Sequence, residues 1–278
     1  MMLRYNTTKC AHALRGLLAV ALLASGVTAS AEELKIGGAG TALGTMREIG
    51  DAYTKANPDI KVTVLPSLGA IGGVNALLSG AVDIALATRA LTEAEGVKRV
   101  VTLEVARIPF VFAVSFNSKA DGVTSKQLLE MYQLKLTTWP DGSRVRLVLR
   151  PASVSDTIFL KDLSPEWKKT MIDLEAKPGM LIVATAQEAA DRVEATPGAI
   201  TTSTINLITT EKRAMKALKI DGVEPNARTV ADRIYPYYKP VIVVTMPKAP
   251  PQVQKFVVFL RSKTGRDILV RTGHVVLP

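Results

Sequence analysis

The sequence predicts an α/β chain of mostly parallel sheets with helices on both faces, folded as two lobes. Three observations carry that expectation. Between residues 34 and 89 a strand, a Gly-rich turn and a helix recur as a unit, in LKIGGAGTALGTM and KVTVLPSLGAIGGVNALLSG, followed by the strand VDIALATRAL. A second series of alternating segments starts near Thr124. Two long apolar stretches, Val100 to Ser115 and Tyr235 to Thr245, flank that second series and read as strands crossing between lobes.

The elements follow in order. Leu34 to Gly37 is a short strand. Leu43 to Ala56 has helical spacing, with Met46, Ile49, Ala52 and Tyr53 on one face, and Asn57-Pro58 stops it. Lys61 to Leu65 is a strand, Val74 to Ser79 a helix closed by Gly80, and Val82 to Ala87 a buried strand. Thr92 to Lys98 is expected to be helical, because Thr92 and Glu95 have capping-box spacing. Thr124 to Tyr132 is a helix and Thr137 to Gly142 a turn. A strand runs from Arg144 to Leu149, and Arg150 to Thr157 is a hydroxyl-rich turn. Pro165 to Ala176 and Gln187 to Glu194 are helices, Ala199 to Ile208 is strand and turn, and helices at Pro251 to Ser262 and Gly265 to Thr272 close the chain.

The first residues read as a secretory leader. Arg4, Lys9 and Arg15 give a basic region, Gly16 to Val27 is apolar, and Ala29-Ser30-Ala31 is a small-x-small cleavage site. Residues 1–31 are therefore expected to be removed after Ala31, giving a periplasmic protein. The apolar run is short for a membrane span. Cys10, the only cysteine of the 278 residues, precedes the apolar run and leaves with it. No disulfide or Cys-based metal site is then available.

The chain carries 35 Lys and Arg against 25 Asp and Glu, net +10, and three of those basic residues lie in the leader. That balance suits an anionic ligand. The charges alternate without a dense run, and aromatic residues make up only 5% of the chain, so nucleic acid is not expected as a partner. Beyond the leader the one histidine is His274, and no Gly-x-Ser-x-Gly elbow occurs. Metal, cofactor and triad chemistry are therefore not expected.

Each Gly-rich turn sits between a strand and a helix start, where unpaired backbone N–H groups meet the positive end of the helix dipole. That is a way to hold an anion without reacting with it. The order of IGGAGTALGTM, ANPDIKVTVLPSLGAIGGVNALLSGAVDIALATRALTEAE, VTSKQLLEMYQLKLTTWPDGS, LRPASVSDT and RTVADRIYPYYKPVIVV resembles the solute-binding proteins of phosphate-type ABC importers, in the type II periplasmic binding fold. The likeness spans nearly the whole chain beyond the leader.

The resemblance implies a hinged clamp. Lobe one would hold residues 32–115 and 240–278, and lobe two residues 116–239. A small anion, phosphate first, would sit between them, and a monomer would deliver it to an ABC permease. By position, Thr41 and Ala42 match the first ligand turn, and Gly72 and Gly73 the second. Ala70 and Ile71 stand where the family has a serine, with Ser67 nearby. Thr88 and Arg89 stand where phosphate-specific members have a proton-accepting aspartate. Arg150, Ser153, Ser155, Asp156 and Thr157 match the family's Arg…Ser-Gly-Thr turn, with one extra residue and Asp156 in place of the glycine. A carboxylate there repels an anion unless it accepts a ligand proton or pairs with Arg89 or Arg150. Two ligand readings fit: hydrogen phosphate donating to Asp156, or another oxyanion or small organic acid. As single residues Thr41, Ser125, Ser155 and Thr157 equally suit helix caps.

Overall fold

The computed structural model describes residues 32–277, so the leader expected at 1–31, with Cys10, lies outside the described residues. In chain order the elements are β1 (Glu32–Gly38), α1 (Gly40–Ala56), β2 (Ile60–Val64), α2 (Gly69–Leu78), β3 (Ile84–Ala87), β4 (Val101–Ser115), β5 (Gly122–Val123), α3 (Ser125–Tyr132), β6 (Arg146–Leu149), α4 (Ser155–Leu163), α5 (Pro165–Ala176), β7 (Leu181–Ile182), α6 (Ala186–Ala195), β8 (Ala199–Thr204), α7 (Ile205–Thr210), β9 (Met215–Ala217), β10 (Lys219–Ile220), α8 (Ala227–Ala231), β11 (Tyr238–Thr245), α9 (Pro251–Leu260), α10 (Lys263–Arg271) and β12 (Val275–Val276).

Strand β4 is long enough to serve both halves. Its residues 101–109 pair antiparallel with β11, and Phe110–Val114 pair antiparallel with β8. The change of partner falls between Pro109 and Phe110, six residues before the 115/116 boundary read from the sequence. The outer strands are parallel: β2–β1–β3 on one side, β8–β6–β7 on the other. We call these sides the first and second lobes. The crossing strands β4 and β11 are the antiparallel part.

Each lobe buries apolar side chains on both faces of its sheet, as helices on both faces require. In the first lobe, Leu34, Ile36, Met46 and Phe256 form one core, and Val74, Leu77, Ala85 and Val244 the other. In the second, Phe112, Tyr132 and Trp167 form one core, and Val111, Ala189 and Leu207 the other. Trp139 and Trp167 are packing residues: Trp139 donates its indole N–H to the Gly198 carbonyl at 3.0 Å, and Trp167 stacks on Phe112.

Three stretches differ from the sequence expectation. Helix α2 starts at Gly69, five residues before Val74. The turn after β6 continues directly into α4. Thr92 to Lys98 is not an α-helix; only a 3₁₀ turn forms at Val97–Arg99, after Gly96 at φ 83°. There the Glu95 carboxylate accepts the Thr92 backbone N–H at 3.0 Å, as in a capping box, but it is also gripped by the Arg89 guanidinium. Glycine is required at two contacting points. Gly38 has φ 133°, and a Cβ on Gly73 would lie 2.5 Å from the Gly38 Cα, so α2 rests directly on the end of β1.

Among the described residues no helix is long and apolar enough to cross a membrane.

Candidate anion-binding cleft

A cavity of about 310 Å³ opens between the lobes at the carboxyl ends of the strands. The starts of α1 and α2 line it from the first lobe, and those of α4 and α6 from the second. Three of these four starts have no side-chain cap: Ala39 precedes α1, Leu68 precedes α2 and Val154 precedes α4. Of the helices that begin elsewhere, α3, α5, α8 and α10 carry Thr124, Ser164, Asn226 and Ser262 as caps, while α7 and α9 begin without one. Uncapped first-turn amides need another acceptor. Here they share one cavity, with their dipoles' positive ends toward it.

Of the residues singled out in the sequence, Thr41, Gly72, Arg150, Ser153, Ser155 and Asp156 line the cavity. The other five do not. Ala42 is buried in the first core. Gly73 is the contact with Gly38. Thr157 donates its hydroxyl back to the Arg150 carbonyl at 3.1 Å, tightening the turn. Arg89 is held by both oxygens of Glu95 and by the Ala90 carbonyl. The hydrogen bonds from Arg89 hold Glu95 at a pKa of about 2, against the desolvation that opposes it. Thr88 is buried behind the cavity, and its hydroxyl meets that of Ser155 at 2.8 Å, joining the two lobes.

Arg150 directly follows β6 and is buried. Its Nε donates to the Val183 carbonyl at 3.2 Å and its Nη2 to the Ala184 carbonyl at 2.9 Å. This fixes the plane of the guanidinium. Nη1 lies 4.0 Å from Asp156 Oδ2 and makes no hydrogen bond among the described residues. The Thr41, Ser67 and Ser153 hydroxyls likewise make none, and Ser67 lies against Gly40, where a Cβ would come within 2.7 Å of its Oγ.

Asp156 departs from the expectation that it receives a ligand proton. Its side chain turns inward and both oxygens are occupied. Oδ1 accepts a hydrogen bond from the Lys239 ammonium, and Oδ2 accepts one from the Thr202 hydroxyl at 3.0 Å. Its main partner is thus Lys239, with Arg150 more distant and Arg89 absent. Burial pushes the Asp156 carboxyl up, but the attraction of Lys239 and Arg150 outweighs it and holds the group below the usual aspartate value. The carboxylate is ionised and already neutralised.

Lys239 and Thr202 were not legible as site residues. Lys239 sits on β11 opposite Ile108 of β4, where the chain crosses between lobes, and only 1% of it is exposed. It also donates to Ser155 Oγ at 3.0 Å and lies over the Phe110 ring. The available signal was a lysine inside the apolar crossing strand, since a buried ammonium demands a counterion.

Further contacts bring the lobes together beside the cavity. Asn206, at the start of α7, donates to the Thr41 carbonyl at 2.6 Å and to the Thr45 hydroxyl at 3.2 Å. Gln187 of α6 donates to the Gly40 carbonyl at 3.5 Å.

Two lobes joined by crossing strands around a cleft rich in hydrogen-bond donors define a type II periplasmic binding fold. The family model described as PBP superfamily domain matches residues 23–264, and the chain belongs to that superfamily. It is 24% identical over 253 residues to the phosphate-binding protein PstS of Borreliella burgdorferi, covering 87% of this chain and 89% of that one. It is 25% identical over 233 residues to the phosphate-binding protein PstS of Bacillus subtilis, covering 81% and 74%. A Clostridium perfringens protein solved with bound phosphate superposes with a TM-score of 0.76 at 18% identity, over 89% of this chain and all of that one. An ABC-type phosphate transport receptor from Vibrio cholerae superposes with a TM-score of 0.63 at 21% identity, over 88% and 100%. The fold is that of the superfamily, and the two curated relatives are named as phosphate-binding proteins.

Proposed function

We infer that this chain is an exported solute-binding protein, cleaved after Ala31, that grips a small oxyanion between its lobes and delivers it as a monomer to an ABC permease. Inorganic phosphate is the first ligand to test, because the curated relatives are named as phosphate-binding proteins. One observation carries the reading: three uncapped helix starts and the fixed guanidinium of Arg150 converge on a single cavity. All are donors, and the one carboxylate on the wall is neutralised by Lys239. The cavity wall contains no histidine, and no cluster of three His, Cys, Asp or Glu that could hold a metal ion occurs among the described residues. Binding without bond-making is the function such a wall supports.

Calorimetric titration of the mature chain with phosphate, sulfate, molybdate and small carboxylates tests it. The expected result is a tetrahedral oxyanion bound with a dissociation constant of about 1 μM or below. Failure of every oxyanion to bind more tightly than about 1 mM overturns the reading.

A further inference from the structure

We propose that the cleft is built for an oxyanion carrying a short apolar substituent, a phosphate monoester or an alkylphosphonate, and prefers it to bare phosphate. This rests on the oxyanion reading above and adds the substrate class. The first argument is volume. A water molecule takes about 30 Å³ of liquid, so a four-oxygen anion fills on the order of 120 Å³. The cavity, open to solvent at its mouth, measures about 310 Å³, more than twice that.

The lobes already meet on one side of that room. Thr88 meets Ser155 at 2.8 Å, Asn206 reaches Thr41 at 2.6 Å, and a Cβ on Gly44 of α1 would strike the Thr210 hydroxyl of α7 at 2.0 Å.

The second argument is the chemistry of the wall. Donors come from the starts of α1, α2 and α4, from Ser67 and from Arg150. The α2 wall is apolar in its side chains: Leu68, Ala70 and Ile71. Leu68 and Ile71 remain 41% and 37% exposed, although both are large aliphatic residues in a cavity otherwise furnished with donors. Exposed apolar surface gathered at a cleft marks a contact for an apolar group. Leu68 is seated on Gly37, where a Cβ would meet its Cδ1 at 3.0 Å, so its position is built in. Ile71, in the first turn of α2, lines the same wall. An oxyanion with an alkyl tail satisfies both walls at once.

The test titrates the mature chain with inorganic phosphate and with methyl-, ethyl- and propylphosphonate. Affinity should climb about four-fold per added methylene, the gain from burying one CH₂. In Ile71→Ser the ratio of propylphosphonate to phosphate affinity should drop about ten-fold. If phosphate binds and affinity is flat or falls with each added carbon, or if the ratio is unmoved in Ile71→Ser, the apolar subsite is overturned and the oxyanion reading stands. If neither phosphate nor any phosphonate binds, the oxyanion reading fails and takes this inference with it.

Discussion

Substituting Lys239 with methionine should destabilise the protein by about 3 kcal/mol. The side chain is apolar and of similar length, so packing against Phe110 is retained and the ammonium is what is lost. Asp156 then remains with 4% of its surface exposed and its Oδ1 without a donor. Removing one partner of a buried ion pair costs about 3–5 kcal/mol. Thr202 at 3.0 Å and Arg150 at 4.0 Å remain to share the charge, which favours the low end of that range. In a chain of this size each kcal/mol moves the melting temperature by about 2–4 °C, so a fall of about 6–12 °C is expected. Thermal unfolding followed by circular dichroism at pH 7 reads it. Lys239→Met with Asp156→Leu should recover most of the loss, because a well-packed apolar pair often matches a buried ionic one. A loss below about 1 kcal/mol in the single variant, or a double variant no better than the single, would refute the assignment of Lys239 as the counterion. The pH dependence has a definite sign. The folded Asp156 carboxyl lies below its ordinary value of 3.8, so the pair's stabilisation is complete above that value and is lost as pH falls through the lower folded value.

Three further outcomes are expected. Arg150→Gln should weaken phosphate binding by about ten- to a hundred-fold, the contribution of a hydrogen bond to a charged group, as read by calorimetry; an unchanged affinity would place the anion elsewhere. Gly73→Ala should cost about 1–3 kcal/mol in urea unfolding, because its Cβ would sit 2.5 Å from the Gly38 Cα and push α2 off β1. Burial holds His274 near pKa 4, below its ordinary 6.5, so the unfolded chain binds the extra proton first and stability falls as pH drops from 6.5 to 4, by up to about 3 kcal/mol. His274→Gln should flatten the stability profile in that window, and an unchanged profile would show that another group titrates there.

Most of the architecture was legible because its signals are local. Helix α5 occupies the predicted residues Pro165–Ala176, since Ser164 caps it and Pro165 opens it. The crossing strands announced themselves as unusually long apolar runs. Two of the three stretches that differ lie at the cleft and share a cause. Helix α4 was hidden in RPASVSDT because Val154 stands at its N-cap and offers no hydrogen bond. Helix α2 was placed five residues late because Leu68 is no cap and LGAIGG reads as loop. The caps that would have revealed these helices would also have consumed their first amides. Local consistency breaks where the first amides face the cavity rather than a cap of their own chain. Lys239 was missed for a different reason: its partner Asp156 lies 83 positions earlier, and only the crossing of β4 and β11 brings them together.

The Lys239–Asp156 pair also resolves the difficulty of a carboxylate beside an anion. Alone, Asp156 would repel the ligand. Paired with Lys239 it contributes no net charge, leaving Arg150 as the uncompensated cation of the buried trio. The three uncapped starts add about +0.5 each, so the cavity wall carries roughly two and a half positive charges. That suits a doubly charged oxyanion and gives a neutral solute no advantage. The pair sets hydroxyl direction as well. Ser155 Oγ accepts from Lys239 at 3.0 Å and stands 2.8 Å from the Thr88 hydroxyl. When Thr88 donates, both acceptor positions of Ser155 are filled, and its own proton turns to the cavity. In that arrangement Lys239, which does not itself line the cavity, turns the Ser155 hydroxyl into a donor toward it, from the strand on which the two lobes are joined.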